Sequence, residues 1–277
     1  HRYRIDDVHG VVNLSPDGFT TSRAQNALRG LSSGDTILVP TEREFDVSVA
    51  GQLPMGFDPG ALYTSRNHPR GLQMSIYAMS DALADLGLNW DQLAGSLPPD
   101  AVSVYISSSM GQLDEAATGG MMTAGHRGER VSAKNCPLGF AEMPGDFINA
   151  YVLKSLGHTG PALGACATFL YNLQRGVDDI KSGRARIAVV GASEAPIIPE
   201  LMDGYVAMGA LATDKELRQL QGVGEEGLIH YRSACRPFGD NCGFVMGESA
   251  QVMILMDDTF ALEQGAPILG AVPVVSV

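Results

Sequence analysis

A single cysteine, Cys166, stands where a chain would place a reactive thiol. It falls in GPALGACATFL, between small Ala165 and Ala167, and a helix is predicted to begin beside it. Backbone N–H groups at a helix start lack intrahelical partners, so they favour a thiolate and can receive an oxyanion. The arrangement is related to the strand–turn–helix corner on which some enzymes display a nucleophile. The competing reading is a buried core cysteine, the commonest fate of a lone thiol. Position alone leaves both open.

The elements that must hold this thiol lie in residues 160–192, which read as a short strand, an abrupt turn at Cys166, an amphipathic helix and a second strand. Phe169, Leu170, Leu173, Val177 and Ile180 recur at three- and four-residue steps and predict one apolar helix face. Gly183 supplies a left-handed stop after Lys181, a cation suited to a helix C-terminus. The run from Ile187 to Val190 is continuously apolar, as expected of a strand covered on both faces. Strand, helix and strand at this length predict a βαβ unit with parallel strands.

The 277 residues suffice for one large domain or two small ones. Composition is that of a globular chain, 45% hydrophobic, and no apolar run is long enough to span a bilayer. With 19 Lys and Arg against 31 Asp and Glu the net charge is −12, which argues against nucleic acid as a general partner. Cys136, Cys166, Cys235 and Cys242 form no CxxC pair and no His/Cys cluster at metal spacing, so a reducing, cytoplasmic compartment is expected. No signal peptide is visible. The chain begins at His1, not Met, so a natural N-terminus upstream is expected.

Residues 1–48 read as an N-terminal extension without recognisable chemistry, and residues 49–277 as the main body. Strands are expected near residues 8–14 and 36–39, with a turn at SPDG; His9, Asp6 and Asp7 read as solvated surface. A helix is predicted over 72–86 from Leu72, Ile76, Met79, Leu83 and Leu86, ended by Gly87. His68, beside a proline, reads as exposed. A strand at 101–106 leads into a glycine-rich stretch, 111–128, that lacks phosphate-binding patterns and reads as an exposed or lid-like loop. Arg127, Arg130 and Lys134 form a basic cluster, either a solvated face or a docking patch for an acidic partner. Helices follow at 147–156 and 201–208, with His158 in a structural turn between them. Residues 215–231 read as polar and irregular. A strand at 251–256, a helix at 259–264 and a strand-like end at 268–277 complete the chain.

Several of these stretches, in order, resemble the β-ketoacyl-ACP synthases. GPALGACATFL with its helix and RIAVVGASEA resembles that family's active-site segment. GYVAMGALATD resembles the segment lining its acyl pocket, and RPFGDNCGFVMGESAQVMIL its R-P-F-D…G-F-V-x-G-E-G-A stretch. AGQLPMGFDP and the helix ending DALADLGL resemble its early region, so the resemblance covers residues 50–277. GACATFLYNLQ and SRNHPRGLQMS are most similar to the long, N-terminally extended bacterial synthases of fatty-acid initiation. Departures accompany it. Gly239 interrupts the F-D pair, Ser249 replaces a glycine, the fold's first strand is not recognisable, and neither of two histidine motifs nor a glycine-rich phenylalanine loop follows Cys166.

What the resemblance implies is specific. The fold would be α/β and thiolase-like, the first half of a duplicated αβαβα unit, with a mixed, mostly parallel sheet covered by helices on both faces. Cys166 would take an acyl group from the phosphopantetheine arm of acyl carrier protein. Malonyl-ACP would then decarboxylate and condense with it, in fatty acid biosynthesis, with no cofactor of the enzyme's own. Tyr205 and Met208 would border the acyl chain, unless they are plain core packing. Arg66, Arg70, Arg127, Arg130 and Lys134 would dock the acidic carrier. A homodimer is implied, and the histidines that hold the enolate would lie in a second half, so residues 1–277 alone are expected to be inactive. The alternatives are a non-catalytic half that binds acyl carriers or scaffolds a dimer, a polyketide-type ketosynthase, and, less well matched, a thiolase acting on CoA esters.

Overall fold

The computed structural model describes residues 2–4, 36–38 and 45–277, without the side chains of residues 2–4, 36–38, 126 and 127. The chain divides into two compact units. The smaller comprises His1–Glu44 and Thr123–Arg130, and the larger Phe45–Met122 and Val131–Val277. In the smaller, strands β1 (Arg2–Arg4) and β2 (Thr36–Leu38) pair antiparallel with Tyr3 opposite Ile37. The strand expected at 8–14, the SPDG turn, Asp6, Asp7 and His9 lie outside the described residues.

The larger unit is built on strands β3 (Val102–Ser107), β4 (Ile187–Glu194) and β5 (Ser249–Met256), in that order. β3 and β4 are parallel, with Val102 opposite Ile187, while β5 runs antiparallel to β4, with Met256 opposite Ile187. Alternation divides the apolar side chains between two faces. Val102, Val104, Ile106, Ile187 and Val189 join one core with Ile76 and Met79 of helix α1 (Arg70–Leu86), Trp90 and Leu93 of α2 (Trp90–Gly95), and Ile148 of α3 (Met143–Ile148). On the opposite face Tyr105, Ala188 and Val190 pack under Leu173 and Val177 of α4 (Thr168–Lys181). Covering both faces accounts for the unbroken burial of Ile187–Val190.

Local signals set most boundaries. α1 ends on Gly87 at φ 67, and Gly183 at φ 72 follows α4, whose last turn holds Lys181. Several elements depart from expectation. The short strand expected directly before Cys166, from Gly160, does not form. Residues 157–164 carry no regular structure, and they meet the edge strand β3 where the Val104 N–H donates to the His158 carbonyl at 2.8 Å. Pro161 has no N–H to give a ladder there. The parallel partner of β4 is therefore β3, and the predicted crossover starts much earlier in the chain. Leu170 is 45% exposed and off the apolar stripe.

The helix expected at 147–156 starts earlier, at Met143, and gives way to a wide turn over Asn149–Leu153. Lys154, at φ 56, closes that turn, and Asn149 then pairs its side chain with both the N–H and the carbonyl of Ser155. The glycine-rich stretch is not a bare loop, because a short helix, Thr118–Thr123, forms inside it and Ala117 and Gly120 are buried. The stretch read as irregular contains α6 (Asp214–Gln221), after α5 (Pro199–Ala207). Thr213 and Glu216 cap α6 reciprocally, a signature present in the sequence as T-x-x-E. α7 (Asp258–Glu263) follows β5, but residues 268–277 form no strand. Among the described residues no helix is long and apolar enough to cross a membrane.

Candidate functional site

Cys166 lies in a tight turn, Ala165–Ala167, that runs directly into α4. Its side chain is exposed, which removes the buried-core reading. The preceding Ala165 sits at φ 48, in the left-handed region that a residue with a Cβ enters at a cost of roughly 1–2 kcal/mol. Such a conformation persists only where the surroundings over-determine it. Here one stripe of α4 supplies the surroundings. Thr168 Oγ1 accepts from the Gly164 N–H at 3.0 Å and donates to the Ala165 carbonyl at 2.7 Å. Tyr171 lies against Gly164 so closely that a Cβ there would overlap its ring. Asn172 Oδ1 accepts from the Ala162 N–H at 2.9 Å. Arg175 donates to the Gly160 carbonyl and also stacks its guanidinium 5.6 Å from the centre of the Tyr105 ring.

The same helix is fixed to the sheet at two points. Asn172 Nδ2 donates to Ser107 Oγ and to the Gly191 carbonyl, each at 2.9 Å. Asp179 accepts from Ser103 Oγ and the Tyr105 hydroxyl, each at 2.6 Å, and from Arg184. Ser107 closes β3 and Ser103 lies near its start, so the N-terminus of α4 points to the C-terminal ends of the parallel strands. That is the edge where open α/β sheets place their ligand sites. At this edge Glu194, the last residue of β4, accepts from Ser108 Oγ and Ser109 Oγ at 2.8 Å each, and from the Ser109 N–H.

The other candidates are distributed differently. Tyr205 is half-buried, packed with Met202, Leu211 and Met246, and its hydroxyl lies 3.8 Å from Met110 Sδ. Met208 is 71% exposed, so core packing does not describe it. Arg70 is not a free cation. Its Nε and Nη2 donate to Glu248 at 2.6 and 2.8 Å, and Glu248 also accepts from the Leu53 N–H at 2.8 Å. The Arg70 hydrogen bond is the main reason the Glu248 carboxyl is held below its ordinary value.

Arg66 and Lys134 border one open pocket of about 260 Å³ with Asn67 and His68. Arg127 and Arg130 belong to the smaller unit; Arg130 is exposed and the Arg127 side chain lies outside the described residues. His68 is half-buried, not exposed as expected. Its Nδ1 lies 3.0 Å from the Tyr63 hydroxyl, and its ring packs edge-on to Phe147. Burial, then the Lys134 charge, lowers its pKa, and burial pushes Tyr63 up to about 12.

Sequence reasoning missed Thr168, Asn172, Arg175 and Glu248. Thr168, Tyr171, Asn172 and Arg175 stand at i, i+3, i+4 and i+7, a polar stripe as regular as the apolar one beside it.

The chain is 55% identical over 234 residues to the β-ketoacyl-[acyl-carrier-protein] synthase FabY of Pseudomonas aeruginosa, covering 84% of this chain but 36% of that protein. It is 28% identical over 268 residues to the 3-oxoacyl-[acyl-carrier-protein] synthase 2 of Staphylococcus aureus, of which it covers 61%. The chain thus spans about a third of the first relative and under two thirds of the second. The crystal structure of the P. aeruginosa ketosynthase FabY superimposes with a TM-score of 0.82 at 53% identity, over 87% of this chain and 37% of that one. A β-ketoacyl synthase from Burkholderia phymatum shares the fold at a TM-score of 0.64 and 21% identity, over 81% and 52% of the two chains. The expected thiolase-like α/β fold is the observed one. The profile of the β-ketoacyl synthase N-terminal domain matches residues 56–261, and the chain belongs to that family.

Proposed function

We propose that this chain carries the acyl-accepting nucleophile of a β-ketoacyl-ACP synthase working in fatty acid biosynthesis. The observation that carries the reading is Cys166, exposed on a strained corner at the start of α4 and at the C-terminal edge of the sheet. The Cys166 sulfur attacks the thioester carbonyl of an acyl group held on a phosphopantetheine arm. The new C–S bond forms, the bond to the arm breaks, and the arm leaves as a thiol with the proton Cys166 gave up. Backbone N–H groups of the corner stabilise the tetrahedral oxyanion. In the whole protein, malonyl-ACP then loses CO₂ and its carbanion displaces Cys166 from the acyl group.

The partner in this reading is acyl carrier protein, which the names of both relatives contain. The carrier brings the phosphopantetheine and the enzyme holds no cofactor of its own. Tyr205 and Met208 border the acyl chain, while Arg66, Arg127, Arg130 and Lys134 are the candidates for docking the acidic carrier. Arg70 supports them as a partner of Glu248. The protein works in the cytoplasm as a homodimer.

The test is to incubate the intact protein with acyl-ACP and map the adduct by peptide mass spectrometry. An acyl group on Cys166, lost in Cys166→Ser, supports the reading. Carrier binding without any adduct would instead favour a non-catalytic, carrier-binding half.

A further inference from the structure

We infer that Asn172 is a positioning residue for Cys166, holding the corner in its left-handed conformation from behind. The inference rests on the nucleophile reading above and adds what keeps that nucleophile in place. Asn172 is fully buried, and its amide uses both ends. The oxygen takes the Ala162 N–H, and the nitrogen reaches Ser107 Oγ on β3 and the Gly191 carbonyl on β4. Ser107 Oγ in turn donates to the Ala162 carbonyl at 3.2 Å. Both polar groups of the Ala162 backbone are therefore tied to the Asn172–Ser107 pair, three residues before the left-handed Ala165.

An apolar stripe would hold the helix to the sheet just as firmly, but it would leave the Ala162 N–H without a partner. With that tie cut, Ala165 relaxes toward the ordinary right-handed or extended region, and the thiol swings away from the start of α4. Asn172 touches no substrate in this account. It acts through the backbone of residues 162–165. Misplacement of a reacting group by about 1 Å is enough to slow a reaction on the order of a hundredfold.

The experiment follows alkylation of the intact protein by iodoacetamide, cysteine by cysteine, across pH. Cys136 and Cys235, both exposed, serve as internal references. Asn172→Leu is expected to slow Cys166 about tenfold and to change its pH–rate profile, leaving the two references unaffected. Adding Ala165→Gly is expected to recover most of the rate, because glycine adopts the left-handed region freely.

If Asn172→Leu does not fold, Ser107→Ala decides, since it removes two of the ties and is expected to slow Cys166 about threefold. A folded variant in which Cys166 keeps its wild-type rate and profile overturns the inference. A wild-type Cys166 that reacts no faster than Cys136 and Cys235 overturns the nucleophile reading instead, and the two failures are told apart by that control.

Discussion

Tyr105 and Asp179 meet through a 2.6 Å hydrogen bond beneath α4, on the opposite face of the sheet from the larger core. Burial alone would raise the Asp179 carboxyl. The hydrogen bonds of Ser103 and Tyr105, with the Arg184 charge, outweigh it and hold the group below its usual value. Tyr105→Phe removes one donor and is expected to cost about 2 kcal/mol. Asp179→Ala strands two buried hydroxyls and is expected to cost about 3 kcal/mol, with the half-exposed Arg184 adding little. Urea unfolding midpoints check both. Equal losses would mean the carboxylate contributes nothing beyond the tyrosine bond.

The Arg70–Glu248 pair predicts an acid limb. The folded Glu248 pKa lies below the ordinary glutamate value of 4.5. Its contribution is therefore complete above the unfolded pKa and is lost as pH falls through the lower, folded one. Asp179 acts with the same sign. Unfolding free energy should fall below about pH 4 in the wild-type protein. Arg70→Met should flatten part of that fall and cost roughly 1–2 kcal/mol at neutral pH, discounted because Arg70 is 40% exposed. An unaltered acid limb in that variant would remove the pair from the account.

Thr213 offers a cleaner measurement, since its side chain lies at one helix end and touches no candidate site residue. It accepts from the Glu216 N–H at 3.3 Å while Glu216 reaches back to the Thr213 N–H at 3.1 Å. Thr213→Ala is expected to cost about 1 kcal/mol, read as a shift in the urea midpoint with no change in Cys166 alkylation.

How far the fold was legible follows from these contacts. Periodicity exposed α1, α4 and the buried strands, because their apolar stripes face a core directly. It exposed Cys166 because the corner is local in sequence. The pairing of β3 with β4 was hidden by distance, and the strand expected between Gly160 and Cys166 does not form. Asn172 and Glu248 were illegible for another reason. Each is a polar residue whose partners are remote, Ser107 for one and Arg70 for the other, and no local pattern announces a buried polar tie. The cap at Thr213 was different, since its signature was present and only the surrounding polarity disguised the helix.

Gly176 marks where α4 comes nearest the sheet. A Cβ there would stand 2.5 Å from Val190 Cγ1 and 3.2 Å from Ala188 Cβ. Gly176→Ala gains about 1 kcal/mol of helix propensity, and overpacking costs about 1–3 kcal/mol. The expected net is destabilisation of about 1 kcal/mol, visible in the urea midpoint. Because α4 carries Cys166 at its start, the same variant should also alter Cys166 alkylation. A stabilised variant with unchanged alkylation would show that helix and sheet separate freely at this point.

Arg66 and Lys134 bear on the proposed carrier. Both are exposed, both border the pocket beside His68, and the chain around them carries a net −12. Two cations in so acidic a chain would contribute mostly to encounter with an acidic partner. Charge reversal of both in the intact protein is expected to raise KM for acyl-ACP about tenfold, to flatten its dependence on ionic strength, and to leave the rate of Cys166 alkylation unchanged. His68 adds a pH term. Burial and Lys134 keep it neutral to lower pH than usual, so it adds a third positive charge only under acid conditions. An unchanged KM in the double reversal would remove these residues from the docking surface.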